Sequence, residues 1–215
     1  MNPRRILDLF CGAGGAAAGY HLAFPDAEIV GVDINPQPRY PFTFVQSDAL
    51  TFPTDGFDFI HASPPCQHFT RYRNVVKDIA ERYDNHLPAT QARLRAQDTP
   101  WVIENVEGAP MSPTVVLCGS MFGLDVRRHR LFESSFMMLQ QPCNHKAWTE
   151  RPYKGSTGRG PRFTCEIGAW NEPLQLQMRA MGATHRMTLR ELSESIPPAY
   201  TRYIGECFAA LERAA

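Results

Sequence analysis

Five short apolar runs in the first 106 residues each stop at a glycine, a carboxylate, an amide or a proline pair. They are Ile6–Phe10, Glu28–Asp33, Phe42–Gln46, Phe57–Ala62 and Trp101–Val106. Small-residue sequence from Ala16 to Ala23 and a proline-led segment from Pro88 to Gln97 read as helices between them. Strand-like and helical segments in alternation predict an α/β fold built on a parallel sheet. In such a sheet ligands bind beyond the C-terminal ends of the strands. Four such ends carry unusual residues: Gly12-x-Gly14-Gly15, Asp33, Ser63–Gln67 and Glu104-Asn105.

The pattern thins after Pro110. Val115–Cys118 and Arg130–Phe132 are candidate strands, Gln140–Gly160 is turn-rich with room for a hairpin, and Ala199–Ala210 reads as a closing helix. An apolar fraction of 43% and a charged fraction of 20% are those of an ordinary soluble globular protein. No stretch approaches the roughly 18 apolar residues of a membrane span, and the first residues lack the pattern of a secretory leader. A cytoplasmic protein without membrane partners is the expectation. The 6 cysteines form no CxxC pair and no regular framework, so reduced thiols are expected.

Charge is unevenly spread. Residues 1–126 hold 9 Lys/Arg and 14 Asp/Glu, whereas residues 127–190 hold 11 and 4. The basic block interleaves Arg151, Tyr153, Lys154, Arg159, Arg162, Phe163 and Trp170. Cations for phosphates and aromatics for bases are what a nucleic-acid face needs, though a solvated loop region has the same composition.

The Gly12-x-Gly14-Gly15 turn suits a ligand pressed against backbone at a helix N-terminus, and Asp33 is placed to accept hydrogen bonds from a ribose diol. This spacing fits S-adenosylmethionine and a dinucleotide equally. In Ser63-Pro64-Pro65-Cys66-Gln67 two prolines stiffen the backbone immediately before a cysteine at the mouth of the sheet. That presentation suits a nucleophilic thiolate. Glu104 and Asn105 bring a carboxylate and an amide that can address the edge of a planar heterocycle, or simply cap the strand. In a strand, Arg128 and Arg130 would share one face. Cys143-x-His145, with Cys165 later, offers metal ligands, but two ligands one residue apart do not make a tetrahedral site. No metal is expected.

In order, Asp8-Leu9-Phe10-Cys11-Gly12-Ala13-Gly14-Gly15, Ser63–Gln67, Glu104-Asn105-Val106 and Arg128-x-Arg130 closely resemble the motifs of the DNA cytosine-5 methyltransferase family. Met187–Glu191 and Ile196–Gly205 look like its last two motifs. The chain looks most like the abbreviated members carried by some bacterial viruses, which would place it in DNA modification against host restriction. The resemblance implies a Rossmann-like adenosylmethionine-dependent methyltransferase sheet with a reduced, loop-rich recognition insert. It divides the chain into a catalytic and cofactor-binding core at 1–132, a recognition region at 133–185 and a segment returning to the core at 186–215.

The chemistry it implies is methyl transfer from S-adenosylmethionine to C5 of cytosine in double-stranded DNA, by one copy of the chain. Cys66 would add to C6 of a flipped-out base. Glu104 would protonate toward N3, Asn105 would hold the loop, Arg130 would reach O2, and Arg128 would support the cysteine loop. Phe10, Gly12, Gly14, Gly15 and Pro65 would line the cofactor pocket, with Asp33 on the ribose, Ile34 on adenine and Asp48 at its amino group. Residues 67–85, with Arg71 and Arg73, would form a lid.

The chain departs from the family at Val126, where a glutamine is usual, and at Ser193-Glu194-Ser195, where Gly-Asn-Ser is usual. Only residues 133–185 remain for target recognition, which implies short or relaxed sequence specificity. Cys66–Arg71 also looks like the tRNA-directed branch, so an RNA cytosine methyltransferase is the alternative. A non-catalytic subunit needing a partner is the reading from another class, and the Cys66 motif argues against a plain NAD oxidoreductase.

Overall fold

A computed structural model describes residues 5–69, 84–140, 142–145, 149–150 and 163–214. Seven strands make one sheet in the order β3-β2-β1-β4-β5-β7-β6. They are β1 (Arg5–Leu9), β2 (Glu28–Asp33), β3 (Thr43–Gln46), β4 (Phe59–Ala62), β5 (Trp101–Val106), β6 (Val115–Leu117) and β7 (Arg130–Ser134). The first five pair in parallel, and β7 runs antiparallel to both β5 and β6. The α/β fold expected from the sequence is present, but its sheet is mixed and not wholly parallel, because β7 returns antiparallel between β5 and β6.

The five central strands read as apolar runs because both faces of the sheet are covered. Along β1 the alternation is explicit: Ile6 joins the core under one set of helices, while Leu7 and Leu9 join the core on the opposite face. The α-helices among the described residues are α1 (Gly15–Ala23), α2 (Leu87–Arg95), α3 (Leu174–Met181), α4 (Leu189–Glu194) and α5 (Pro198–Ala214). Leu87 and Leu94 of α2 pack with Leu7 and Leu9, and Tyr200, Ile204 and Phe208 of α5 pack with Ile6 and Tyr20.

The closing helix is longer than the sequence suggested, and it lies tightly along α1. A Cβ on Gly19 would stand 2.0 Å from both the Pro198 carbonyl oxygen and Thr201 Oγ1, so only glycine fits there. Thr201 Oγ1 donates to the Ala16 carbonyl at 2.8 Å across the same contact. The small residues of α1 serve that approach.

Two features differ from expectation. No hairpin is formed by the described part of the turn-rich region. Instead Thr149–Glu150 (β8) pairs in parallel with Phe163–Thr164 (β9). Helix α3 starts behind Pro173 and stops at Gly182, whose φ of 64° ends it in the left-handed conformation. No helix among the described residues is long and apolar enough to cross a membrane.

Candidate active site

Strand order reverses between β1 and β4, and the loops after these two strands flank the crevice that results. The Ser63 amide donates to the Leu9 carbonyl at 3.1 Å, joining the cysteine loop to the glycine loop. Arg130 opens β7 opposite Val106, the last residue of β5, so antiparallel pairing delivers it to the same edge.

Cys66, Glu104, Arg128 and Arg130 meet there. Arg130 Nε donates to Glu104 Oε1 at 3.0 Å, with both side chains largely buried. Burial pushes the Cys66 thiol up, the Glu104 carboxylate pushes it further, and the two guanidinium groups pull it back. Burial also raises Glu104 above the usual carboxylate range, against the pull of Arg130, Arg128 and a hydrogen bond from Ser63. A carboxyl that holds its proton unusually well beside a thiol facing two cations is the pairing that acid-assisted nucleophilic addition needs.

Asn105 points to the other face of β5 from Glu104 and is fully buried. Its Nδ2 donates to the Pro64 carbonyl at 3.0 Å, and its Oδ1 accepts from the Val106 amide at 2.9 Å. It therefore fixes the proline pair, and through it the height of Cys66.

Arg128 reaches the cluster differently from expectation. It precedes β7 rather than sharing a strand face with Arg130. It is held because Tyr200 Oη donates to the Arg128 carbonyl at 2.6 Å and Arg128 Nη2 donates to the Ser193 carbonyl at 2.5 Å. Its Nε is buried without a hydrogen-bond partner among the described residues. Burial and neighbouring Arg130 weaken its hold on its proton.

A buried relay behind Cys66 was not legible as function. Tyr20 Oη lies 2.9 Å from His61 Nδ1, and His61 Nε2 lies 2.8 Å from Ser63 Oγ. Ser63 in turn donates to Glu104. With the imidazole proton on Nε2, Tyr20 donates to His61, His61 to Ser63 and Ser63 to the carboxylate. Burial drops His61 to about 3, so the ring stays neutral. In the sequence His61 is one polar residue inside the apolar run that becomes β4.

At the glycine loop, Phe10 and Gly12 have φ of 56° and 47°, and the Gly12 amide donates to Asp33 Oδ2 at 3.1 Å. A Cβ on Gly12 would meet nothing within 4 Å, so this residue borders open space. Gly14 and Gly15 do not. Their Cβ positions are filled by Pro41 and Tyr40, and by Ile196 and Ser195, so close packing requires glycine at both. Asp33 Oδ1 accepts from the Asn35 amide at 2.9 Å, leaving a further lone pair on each carboxylate oxygen. Ile34 is 64% exposed beside it. Asp48 is exposed, and its Oδ1 accepts from the Leu50 amide at 2.8 Å. Pro65 is half-buried next to Cys66.

The turn after α3 closes on this loop, with His185 Nε2 lying 2.6 Å from the Ala13 carbonyl oxygen. Val126, in the place of the expected glutamine, is buried against Gly119. Glu194 pairs with Arg190 on the surface at 3.1 Å, while Ser195 is buried under Gly15. Arg71 and Arg73 of the expected lid lie outside the described residues.

No protein-family model matches the chain. It is 30% identical over 129 residues to the human tRNA (cytosine(38)-C(5))-methyltransferase, covering 53% of this chain and 33% of that protein. It is 32% identical over 87 residues to methyltransferase str3 of Strobilurus tenacellus, covering 37% and 31%. The chain thus spans about a third of the length of the relatives it matches. The solved methyltransferase EhMeth of Entamoeba histolytica superposes with a TM-score of 0.58, covering 98% of this chain and 99% of that one, at 11% identity. At that identity the likeness is one of fold, and the Rossmann-like α/β sheet is the fold shared.

Proposed function

We propose that this chain transfers the methyl group of S-adenosylmethionine to C5 of cytosine in DNA, through a covalent bond between Cys66 and C6. The observation that carries the reading is the convergence of Cys66, Glu104, Arg128 and Arg130 at one strand edge. The matched methyltransferases and the shared fold support methyl transfer in general.

The glycine loop fits the cofactor at one place in particular. Open space over Gly12 beside the Asp33 carboxylate and exposed Ile34 offers a backbone cradle, a ribose acceptor and an apolar surface for adenine. Phe10, Pro65 and Asp48 border the same end of the sheet. S-adenosylmethionine supplies, when bound, the electrophilic methyl that C5 takes up.

This chain's own residues do the rest. C5 of cytosine is a poor nucleophile until C6 carries an electron-donating adduct. The Cys66 thiolate adds to C6, and Glu104 gives its proton toward N3, so the ring electrons localise on C5. Arg130 holds Glu104 and faces the O2 side of the ring, while Arg128 favours the thiolate. After C5 is methylated, solvent water takes the C5 proton, the C5–C6 double bond re-forms with expulsion of Cys66 as thiolate, and N3 returns its proton to Glu104. Since C6 lies inside the stack of a duplex, the base must be flipped out to reach a half-buried thiol. In the recognition region, Trp170 is 94% exposed and offers a stacking surface.

A second reading, methylation of tRNA, is favoured by the name of the human relative. Incubation with labelled S-adenosylmethionine and either duplex DNA or tRNA, followed by nucleoside mass spectrometry, separates the two. We expect 5-methylcytosine in DNA, abolished by Cys66→Ala. Product in tRNA alone moves the assignment to the second reading. No 5-methylcytosine in either polymer overturns the proposal.

A further inference from the structure

Outside the catalytic cluster, Cys118, His129, Cys143 and His145 bring one ligand atom each to within 4.8 Å of all the others. Cys118 follows β6 and is fully buried, and His129 immediately precedes β7. Cys143 and His145 come from the segment after β7 and fold back over this edge. Cys118 Sγ is 3.4 Å from His145 Nε2, and Cys143 Sγ is 3.4 Å from His129 Nε2. The two imidazole centroids are 5.0 Å apart, with the rings at 65°.

The two sulfur–nitrogen separations are those of a coordination shell. With Zn–S of about 2.3 Å and Zn–N of about 2.05 Å, the sulfur–nitrogen edge of a tetrahedron is about 3.5 Å. The surroundings add the outer contacts such a site uses. Glu107 Oε2 lies 3.6 Å from His129 Nδ1, the nitrogen turned away from the cluster. A carboxylate there fixes the tautomer that leaves Nε2 free to bind a metal. Ser120 Oγ donates to Cys118 Sγ at 3.5 Å, as a hydroxyl does to a thiolate.

We infer that this chain carries a structural zinc site with Cys118, Cys143, His129 and His145 as its ligands. It departs from the sequence expectation of no metal. The sequence showed Cys143-x-His145, but the other pair is Cys118 and His129, not Cys165, whose Sγ contacts Glu172 Oε2 at 2.7 Å. Two thiolates and two neutral imidazoles balance the charge of Zn²⁺, and binding releases the two thiol protons. Four protein ligands leave no open position, so the role is structural. The ion would fasten the start of the recognition region to the residue lying between Arg128 and Arg130. The inference rests on ligand geometry alone and stands apart from the proposed reaction.

The test uses the untagged full chain, purified under reducing conditions from zinc-containing medium. Elemental analysis should give one zinc per chain, falling at least tenfold in Cys143→Ser and in His145→Ala and unchanged in Cys165→Ser. Replacing zinc by Co(II) should give the visible bands of a tetrahedral site with a thiolate charge-transfer band in the near ultraviolet. Cys143 is exposed, so its variant should keep the wild-type circular dichroism spectrum. Substoichiometric zinc with no Co(II) spectrum, full retention by Cys143→Ser, or a Cys118–Cys143 disulfide in place of metal would each overturn the inference.

Discussion

Asn105 Nδ2 donates to the Pro64 carbonyl at 3.0 Å, so a side chain on β5 sets the position of a loop that follows β4. Both partners are buried, and leaving one unpaired costs about 1–3 kcal/mol. Asn105→Ala should destabilise the fold by about that amount and also lower kcat, because the cysteine loop is no longer held. Asn105→Asp keeps the shape and loses the donor, and should reproduce the kcat loss. Urea melts with steady-state kinetics check both. An Asn105→Ala variant with unchanged kcat would remove Asn105 from the positioning of Cys66.

Glu104 and Arg130 form a largely buried pair, and removing one charge strands the other. Arg130→Met should cost about 3–5 kcal/mol in stability. Glu104→Gln should lower the reaction rate about 10²- to 10⁴-fold, the usual worth of a positioned acid. The two variants should move the Cys66 thiol in opposite directions. Glu104 pushes it up and Arg130 pulls it down. The pH profile of Cys66 alkylation by iodoacetamide should therefore shift to lower pH in Glu104→Gln and to higher pH in Arg130→Met.

His61 is buried and neutral, held down to about 3 by desolvation. An unfolded histidine takes a proton near pH 6.5, so the unfolded state binds more protons between the two values. The contribution of neutral His61 is complete above about pH 6.5 and is lost as pH falls below it. Stability measured by urea melts from pH 7 to pH 4.5 should fall less steeply in His61→Asn than in the wild type. Parallel slopes in the two proteins would contradict a buried neutral ring.

Gly12 and Gly19 make a contrasting pair. Gly19→Ala places a methyl 2.0 Å from the backbone of α5, and should lower stability by at least the roughly 1–3 kcal/mol of an overpacked core. Gly12→Ala meets no atom within 4 Å and carries only the strain of a left-handed alanine, about 1–2 kcal/mol. If the cofactor lies over Gly12, that variant should bind S-adenosylmethionine at least tenfold more weakly by calorimetry while remaining folded.

The strand ends were legible because a fully buried parallel strand is apolar to its end, and a polar residue there needs a reason. Asp33 and Glu104 stood out that way, and Cys66 by the two prolines that present it just beyond β4. Boundaries were less legible: β3 begins at Thr43, not Phe42, and β4 at Phe59, not Phe57. Gly14 and Gly15 resembled ligand-cradling glycines, yet their neighbours are Tyr40–Pro41 and Ser195–Ile196, contacts between residues distant in sequence. The convergence of Arg128 with Arg130 depends on Tyr200 and Ser193, some 70 residues further on, and not on strand alternation. In the sequence Cys118 ends an apolar run and His129 lies inside Arg127-Arg128-His129-Arg130, eleven residues apart. Only the antiparallel return of β7 beside β6 brings them together.

The central claim is a covalent bond from Cys66 to C6 of cytosine. Duplex DNA containing 5-fluorocytosine, incubated with the chain and S-adenosylmethionine, should trap it, because fluorine at C5 blocks the final elimination. A denaturation-resistant complex should form, mass spectrometry should place the bond on Cys66, and Cys66→Ala should form none. Equal trapping by wild type and Cys66→Ala, or none by either on DNA and on 5-fluorocytosine-containing tRNA, would contradict the account.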